Sequence, residues 1–155
     1  MWWSERRRRD AFTLIELLVV IAIIAVLAAV VAPAVFRNVG DAKTHAAESQ
    51  IELFALALDS YRLDNDQYPT TQQGLQALRT APTGADAPQS AVRNWRGPYL
   101  RKEVPLDPWG RAYVYVSPGR ANAQSYDLYS LGRDGRIGGT DEDADRTSWG
   151  GAVVP

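Results

Sequence analysis

From Leu17 to Ala32 every residue is apolar, and Phe12, Leu14 and Ile15 on one side and Ala34, Val35 and Phe36 on the other lengthen the run. A helix needs about 20 mostly apolar residues, each rising ~1.5 Å, to cross the hydrocarbon of a bilayer. The segment from Phe12 to Phe36 therefore predicts a membrane span or the core of a signal sequence. Polarity returns at Arg37, Asn38 and Asp41, but the helical period continues. Ala47, Ile51, Phe54, Leu58 and Tyr61 recur at steps of four and three and lay one apolar stripe along a helix, with Glu48, Glu52 and Asp59 off it. The two patterns join without a break. They predict one helix that runs on to about Leu63, where Asp64-Asn65-Asp66 and Pro69 stop it, with the stripe packing on the rest of the chain.

Beyond the helix the pattern shortens. Tyr68-Pro69-Thr70-Thr71-Gln72-Gln73-Gly74 reads as a turn, and the residues after it as a short helix whose Leu75 and Leu78 reach the core. Residues 80–94, rich in Ala, Pro, Gly and Ser, read as an irregular surface loop. Gly97-Pro98-Tyr99-Leu100 and Val104-Pro105-Leu106-Asp107-Pro108-Trp109-Gly110 are dense in turn formers and aromatics; their prolines are expected to fix the loop and Trp109 to fill the core beside the helix. Arg111 to Val116 alternates as a strand, Ser117-Pro118-Gly119 opens a connection, and Ser125 to Tyr129 forms the next strand. The fold class expected is α+β, a long helix packed on a small antiparallel sheet.

Composition narrows the function. The chain has 155 residues, 46% of them hydrophobic, enough for one modest domain once the apolar segment is set aside. A formal net charge of -1 leaves no basic excess for nucleic acid to recognise. There is no cysteine, so neither disulfides nor thiolate metal sites are available. The single histidine, His45, excludes histidine-rich metal clusters and most catalytic triads, and reads as an ordinary polar surface residue.

Two charged features bear on the apolar segment. Arg6 to Arg9 form a compact positive block ahead of it, which under the positive-inside rule keeps the N-terminus in the cytoplasm and sends the remainder across the inner membrane. An ordinary cleaved signal peptide has the same basic start and apolar core, with Ala32-Pro33-Ala34 as its small residues; a twin-arginine signal is a variant of that reading. Glu16 argues against both. It sits one helical turn from Phe12 inside the apolar stretch, where an unpaired carboxylate costs on the order of a few kcal/mol, and it has no purpose in a segment destined for removal.

The last informative stretch runs from Ser130 to Asp145. Asp141, Glu142, Asp143 and Asp145 cluster there, Asp134 precedes them, and glycines allow a tight loop. Oxygen-rich loops suit Ca²⁺, which takes about six to eight oxygens, backbone carbonyls included. An EF-hand does not fit: with Gly135 at its invariant glycine, its first position falls on Ser130 and its third on Gly132. A solvated acidic loop and a catalytic carboxylate pair are the other readings of these residues, the second without any accompanying polar catalytic group.

Four motifs carry a family resemblance. Ala11-Phe12-Thr13-Leu14-Ile15-Glu16 resembles the processing site of type IV pilins and pseudopilins, with Ala11 where the family usually has glycine. Tyr68 to Leu78, YPTTQQGLQAL, resembles a segment of the major pseudopilin of type II secretion, with Gln72 in place of the usual glutamate. Gly97 to Leu100 and Pro105 to Gly110, and then Ser130-Leu131-Gly132 with Asp134-Gly135, Asp145 and Trp149, resemble further stretches of that family. The resemblance implies a pilin-like fold and cleavage by a prepilin peptidase between Ala11 and Phe12, after which Phe12 is N-methylated. Glu16 becomes the family's signature acid, used in assembly, and Pro33 matches a recurrent helix proline. It further implies a C-terminal calcium loop: Ca²⁺ held by the Asp134 and Asp145 side chains and the Leu131 and Arg136 carbonyls, with Asp143 a further candidate and Asp141 behind it.

On this resemblance residues 1–11 form a cytoplasmic leader, 12–36 a transmembrane and filament-core helix, and 37–155 a periplasmic domain. The expected function is structural rather than enzymatic. The subunit would be a single-pass inner-membrane protein that polymerises with itself into a periplasmic pseudopilus and helps drive folded proteins across the outer membrane. Its partners would be minor pseudopilins, the prepilin peptidase and the inner-membrane assembly platform. The rivals are a type IV pilus subunit, which often closes its C-terminal region with a disulfide absent here, and a secreted domain behind an ordinary signal peptide.

Overall fold

The computed structural model of the chain describes residues 12–83 and 94–154. Residues 1–11, with Ala11 of the expected cleavage site, and most of the loop expected over 80–94 lie outside them. One α-helix, α1 (Leu14–Asn65), accounts for most of the regular structure. Thr13 starts it: its hydroxyl oxygen accepts the Glu16 backbone N–H at 3.2 Å, satisfying one of the free donors of the first turn. The end comes two residues later than expected and has a local cause. Asn65, 2% exposed, turns its amide back to the Tyr61 carbonyl at 2.9 Å, and Asp66 adopts the left-handed conformation (φ 63°) that closes many helices.

The chain divides into two compact units, up to Val39 and from Gly40 onward. In the first, α1 is apolar and uncovered: Phe12, Leu14, Val30 and Phe36 are each more than 70% exposed. The helix is long and apolar enough to cross a membrane. Pro33 lies inside it without ending it.

The second unit has a core, and the expected stripe is its helical side. Ala47, Ile51, Phe54, Leu58 and Tyr61 are all buried, while Glu48, Glu52 and Asp59 face out. Burying each large apolar side chain is worth about 1.5–3 kcal/mol, so this one face anchors the unit. Against it pack Leu75, Ala77 and Leu78, which form a short 3₁₀ turn (Leu75–Leu78), and Tyr113, Tyr115, Tyr126 and Leu128. Phe54 meets Tyr113 edge to face, with ring centroids 5.2 Å apart. His45 is exposed and lies 3.3 Å from the Glu48 carboxylate.

The sheet is antiparallel, in the order β1 (Val114–Val116), β2 (Asp127–Ser130), β3 (Arg146–Thr147). Tyr115 pairs with Leu128, and Tyr129 with Val114 on one side and Thr147 on the other. The pattern predicts two strands, and among the described residues three form; β3 is too short to show a period. β1 also starts later than Arg111, because the Arg111 carbonyl accepts from Asp107 at 2.7 Å and its N–H donates to the Asp107 carboxylate at 2.8 Å, closing a turn instead of joining a ladder.

Trp109 does not fill the core as expected. It is half-buried at the edge of that turn and stands outside the buried cluster. The inward residue of the segment is Asp107, 4% exposed, whose oxygens accept the N–H groups of Trp109 and Arg111 and the Ser130 hydroxyl. Hydrogen bonds replace the aromatic filling that the composition suggested.

Candidate functional site

Two places carry the chemistry expected from the sequence. The first is the start of α1, where Phe12 is 82% exposed and Glu16 is exposed one turn further on. Glu16 also stands in the first helical turn, where the positive end of the helix dipole favours an acid.

The second is the loop between β2 and β3. Its two arms run so close that only glycine fits in places. A Cβ at Gly132 (φ 61°) would meet the Asp143 carbonyl at 2.8 Å, and one at Gly139 (φ 87°) would overlap the same carbonyl. The Arg133 N–H donates to the Glu142 carbonyl at 2.9 Å, fastening the arms together. A 3₁₀ turn (Asp141–Asp143) carries the acidic cluster round to β3.

Within this loop the expected ligands differ in what they do. Asp134 accepts the Arg136 N–H through Oδ1 at 3.0 Å. The Leu131 carbonyl accepts from Gly135 at 3.2 Å. Asp145 accepts the Gly138 N–H through Oδ2 at 2.8 Å, and its Oδ1 is buried with no donor among the described residues. Such an orphaned carboxylate oxygen is costly unless a cation or water meets it. Asp143 is engaged elsewhere: Arg133 donates to Oδ1 at 2.8 Å and to Oδ2 at 2.9 Å. That hydrogen-bonded guanidinium holds the Asp143 carboxyl below its ordinary range. Asp141 is exposed in a left-handed conformation (φ 54°), and its carbonyl accepts from Arg146 at 2.8 Å.

No three Asp, Glu or His side chains among the described residues stand together closely enough to hold an ion on side chains alone. A cation here would need backbone carbonyls beside Asp134 and Asp145. The donor set is all oxygen, one member is buried and unpartnered, and those properties fit a hard cation such as Ca²⁺.

No local pattern points to the residues that hold this loop. Asp107 sits in a proline-rich turn, Ser130 ends a strand, and Arg111 follows a glycine; each reaches the loop only through the fold. The loop is also tied to α1, where Arg146 lies 3.7 Å from Glu48 and the Glu142 side chain covers the bare backbone of Gly40.

A helix apolar and uncovered at its start, packed further on against a small antiparallel sheet that ends in a glycine-rich acidic loop, defines a pilin-like subunit. In structure the chain is similar to the solved major pseudopilin from the type 2 secretion system of enterohaemorrhagic Escherichia coli, with a TM-score of 0.57 and 38% identity over 72% of this chain and 90% of that one. The profile of the family described as type II secretion system (T2SS), protein G matches residues 34–149, and that of the prokaryotic N-terminal methylation motif matches residues 6–32. The type II secretion system core protein G of Pseudomonas aeruginosa is 47% identical over 145 residues, covering 94% of this chain and 98% of that protein. Those of Escherichia coli and Vibrio cholerae are 47% and 42% identical, each over more than 90% of both chains. The chain belongs to the type II secretion system protein G family.

Proposed function

We propose that this chain is the major pseudopilin of a type II secretion system, a subunit that polymerises into a periplasmic pseudopilus and helps drive export of folded proteins. The observation that carries the reading is the uncovered apolar length of α1 from Phe12 to Phe36, joined to the N-terminal methylation motif over residues 6–32. That surface must be covered by lipid or by other apolar helices. Lipid serves before assembly, with the N-terminal arginines in the cytoplasm and the second unit in the periplasm. Copies of the same helix serve in the filament core. Minor pseudopilins and an inner-membrane assembly platform are the partners this role requires.

Cleavage between Ala11 and Phe12 by the prepilin peptidase removes the arginine block and creates an α-amino group at Phe12, with an ordinary pKa of roughly 7.7–8.0 and hence largely cationic near neutrality. Glu16 of one subunit then has a partner in the Phe12 amine of its neighbour, which offsets the cost of burying both charges and sets the register as subunits add.

Ca²⁺ belongs to this reading as the ion of the C-terminal loop, held by Asp134, Asp145 and the Leu131 and Arg136 carbonyls; Asp143, paired with Arg133, stays outside the set. When bound, the ion supplies the positive charge that lets the acidic arms close on one another. The test is overproduction together with the secretion machinery. Filaments seen by electron microscopy and built from a chain that begins at N-methylated Phe12 are expected. A chain that begins near Val35, released from the membrane, would overturn the reading in favour of a secreted domain.

A further inference from the structure

The turn from Asp107 to Arg111 grips the first arm of the acidic loop from two sides. Ser130, fully buried, donates its hydroxyl to Asp107 Oδ2 at 2.6 Å and accepts the Gly132 N–H at 3.3 Å. Arg111 Nη1 donates to the Gly132 carbonyl at 2.9 Å and to the Arg133 carbonyl at 2.7 Å. Gly132 is thus held at its N–H by Ser130, itself bonded to Asp107, and at its C=O by Arg111 directly. That turn is closed by the Asp107–Arg111 backbone bond at 2.7 Å and by the Gly110 N–H donating to the Asp107 carbonyl at 2.9 Å. A Cβ at Gly135 would strike the Arg111 guanidinium at 2.6 Å, so the side chain lies close against the loop.

Arg111 engages the carbonyls of Gly132 and Arg133, and the Arg133 N–H engages the Glu142 carbonyl. Leu131 and Asp134, which flank the gripped pair, are thereby fixed on either side of it. A guanidinium beside a cation site is electrostatically adverse. Its placement is explained if the loss is smaller than the cost of ordering a glycine-rich loop at the moment of binding.

We infer that Arg111 is the positioning residue of the ion loop, with Asp107 as its anchor: together they hold the Leu131–Asp134 arm in its ion-accepting form before any cation arrives. The inference rests on the Ca²⁺ reading of the loop, and the experiment separates the two. Calcium is titrated calorimetrically into the full-length chain in detergent micelles, for wild type, Arg111→Gln, Arg111→Lys and, as a surface control, Arg101→Ala. The melting temperature of each is also taken in chelator.

Arg111→Gln is expected to weaken calcium binding at least tenfold, Arg111→Lys to recover part of the loss, and Arg101→Ala to match wild type. In chelator the Arg111→Gln melt should fall far less than its calcium-dependent increment does. Wild-type affinity in Arg111→Gln overturns the positioning role while leaving the ion site standing. Equal losses of melting temperature with and without calcium assign Arg111 to general stability and also overturn it. A wild-type chain that binds no calcium removes the ion reading, and the inference with it.

Discussion

Arg133 takes both oxygens of Asp143, Nε to Oδ1 at 2.8 Å and Nη2 to Oδ2 at 2.9 Å, while Asp145, two residues on, keeps one oxygen buried with no partner among the described residues. Neighbouring carboxylates in one loop are therefore unequal. Asp143 already has its cation, whereas no cationic side chain among the described residues pairs with Asp145. Calcium should raise the melting temperature of the full chain relative to chelator, since a ligand that binds the folded form alone adds about 2.7 kcal/mol at a hundredfold excess over its Kd. Asp134→Ala and Asp145→Ala should abolish the rise, and Asp143→Ala and Asp59→Ala should retain it. A rise lost in Asp143→Ala would place that carboxylate in the ligand set after all.

The Asp143 pair also has a pH signature. Its carboxyl lies below the ordinary range because of the Arg133 hydrogen bonds. A lowered carboxyl contributes stability that is present above the ordinary carboxylate range and is lost as pH falls through the folded value. The pair is exposed to solvent, so salt screens it. Acid titration of wild type against Asp143→Asn, in chelator, should show curves that separate near neutrality, converge as the medium becomes strongly acidic, and lie closer together in high salt. Curves that stay equally far apart at every pH and salt concentration would contradict this.

A second pH effect runs in the opposite direction. Burial pushes the phenols of Tyr113, Tyr115 and Tyr126 well above their ordinary value of 10.0, with the charge of Asp107 adding at Tyr113 and those of Asp59, Tyr68 and Glu52 at Tyr126. A raised phenol contributes stability that is complete below its unfolded value, about 10, and is lost as pH rises toward the folded one. Above pH ~10 the domain should unfold in one step, in which part of the phenolate absorbance appears together with the loss of near-ultraviolet dichroism. Full phenolate absorbance while the dichroism persists would show that these rings are not buried.

Denaturant unfolding tests the core. Phe54→Ala should cost about 3–5 kcal/mol and Leu58→Ala about 2–5 kcal/mol, because both leave cavities behind nearly inaccessible side chains. Leu53, 60% exposed on the same helix, should change stability by no more than about 0.5 kcal/mol when cut to alanine. Similar losses at Leu53 and Leu58 would mean that the stripe does not face the sheet.

What the sequence revealed follows from how its residues act. Ala47, Ile51, Phe54, Leu58 and Tyr61 are found on the core face because a helical period is a local signal and burial follows from it. Leu75 to Leu78 and the strands at Val114 and Asp127 were legible within a few residues for the same reason. Trp109 misled because its size suggested burial, whereas the backbone donors around it needed an acceptor and Asp107 supplied one. β3 and the Arg111 grip were invisible: a two-residue strand has no period, and an arginine shows its partners only when residues 21 and 22 positions away arrive beside it. The loop's candidate ligands came from resemblance, and the local sequence held nothing to show that Arg133 would engage Asp143.

Processing and assembly separate at the N-terminus. Ala11→Lys should leave the leader attached, so that immunoblots from cells with the peptidase show only the longer chain; efficient shortening would misplace the cut. Glu16→Ala should still be cut and stay in the membrane, since the Thr13 hydroxyl bonds the Glu16 backbone rather than its side chain. It should form no filaments, for the Phe12 amine of the next subunit would lack its partner. Normal filaments from Glu16→Ala would remove that pairing from the account.

If this subunit builds the pseudopilus on which secretion depends, its loss must change where secreted proteins are found. In the native host lacking this chain, folded substrates of the type II system are measured in the periplasm and in the medium, with and without the chain restored. They should be trapped in the periplasm of the deleted strain, released again by the wild-type chain, and still trapped with Glu16→Ala. Unchanged amounts in the medium of the deleted strain would contradict that role.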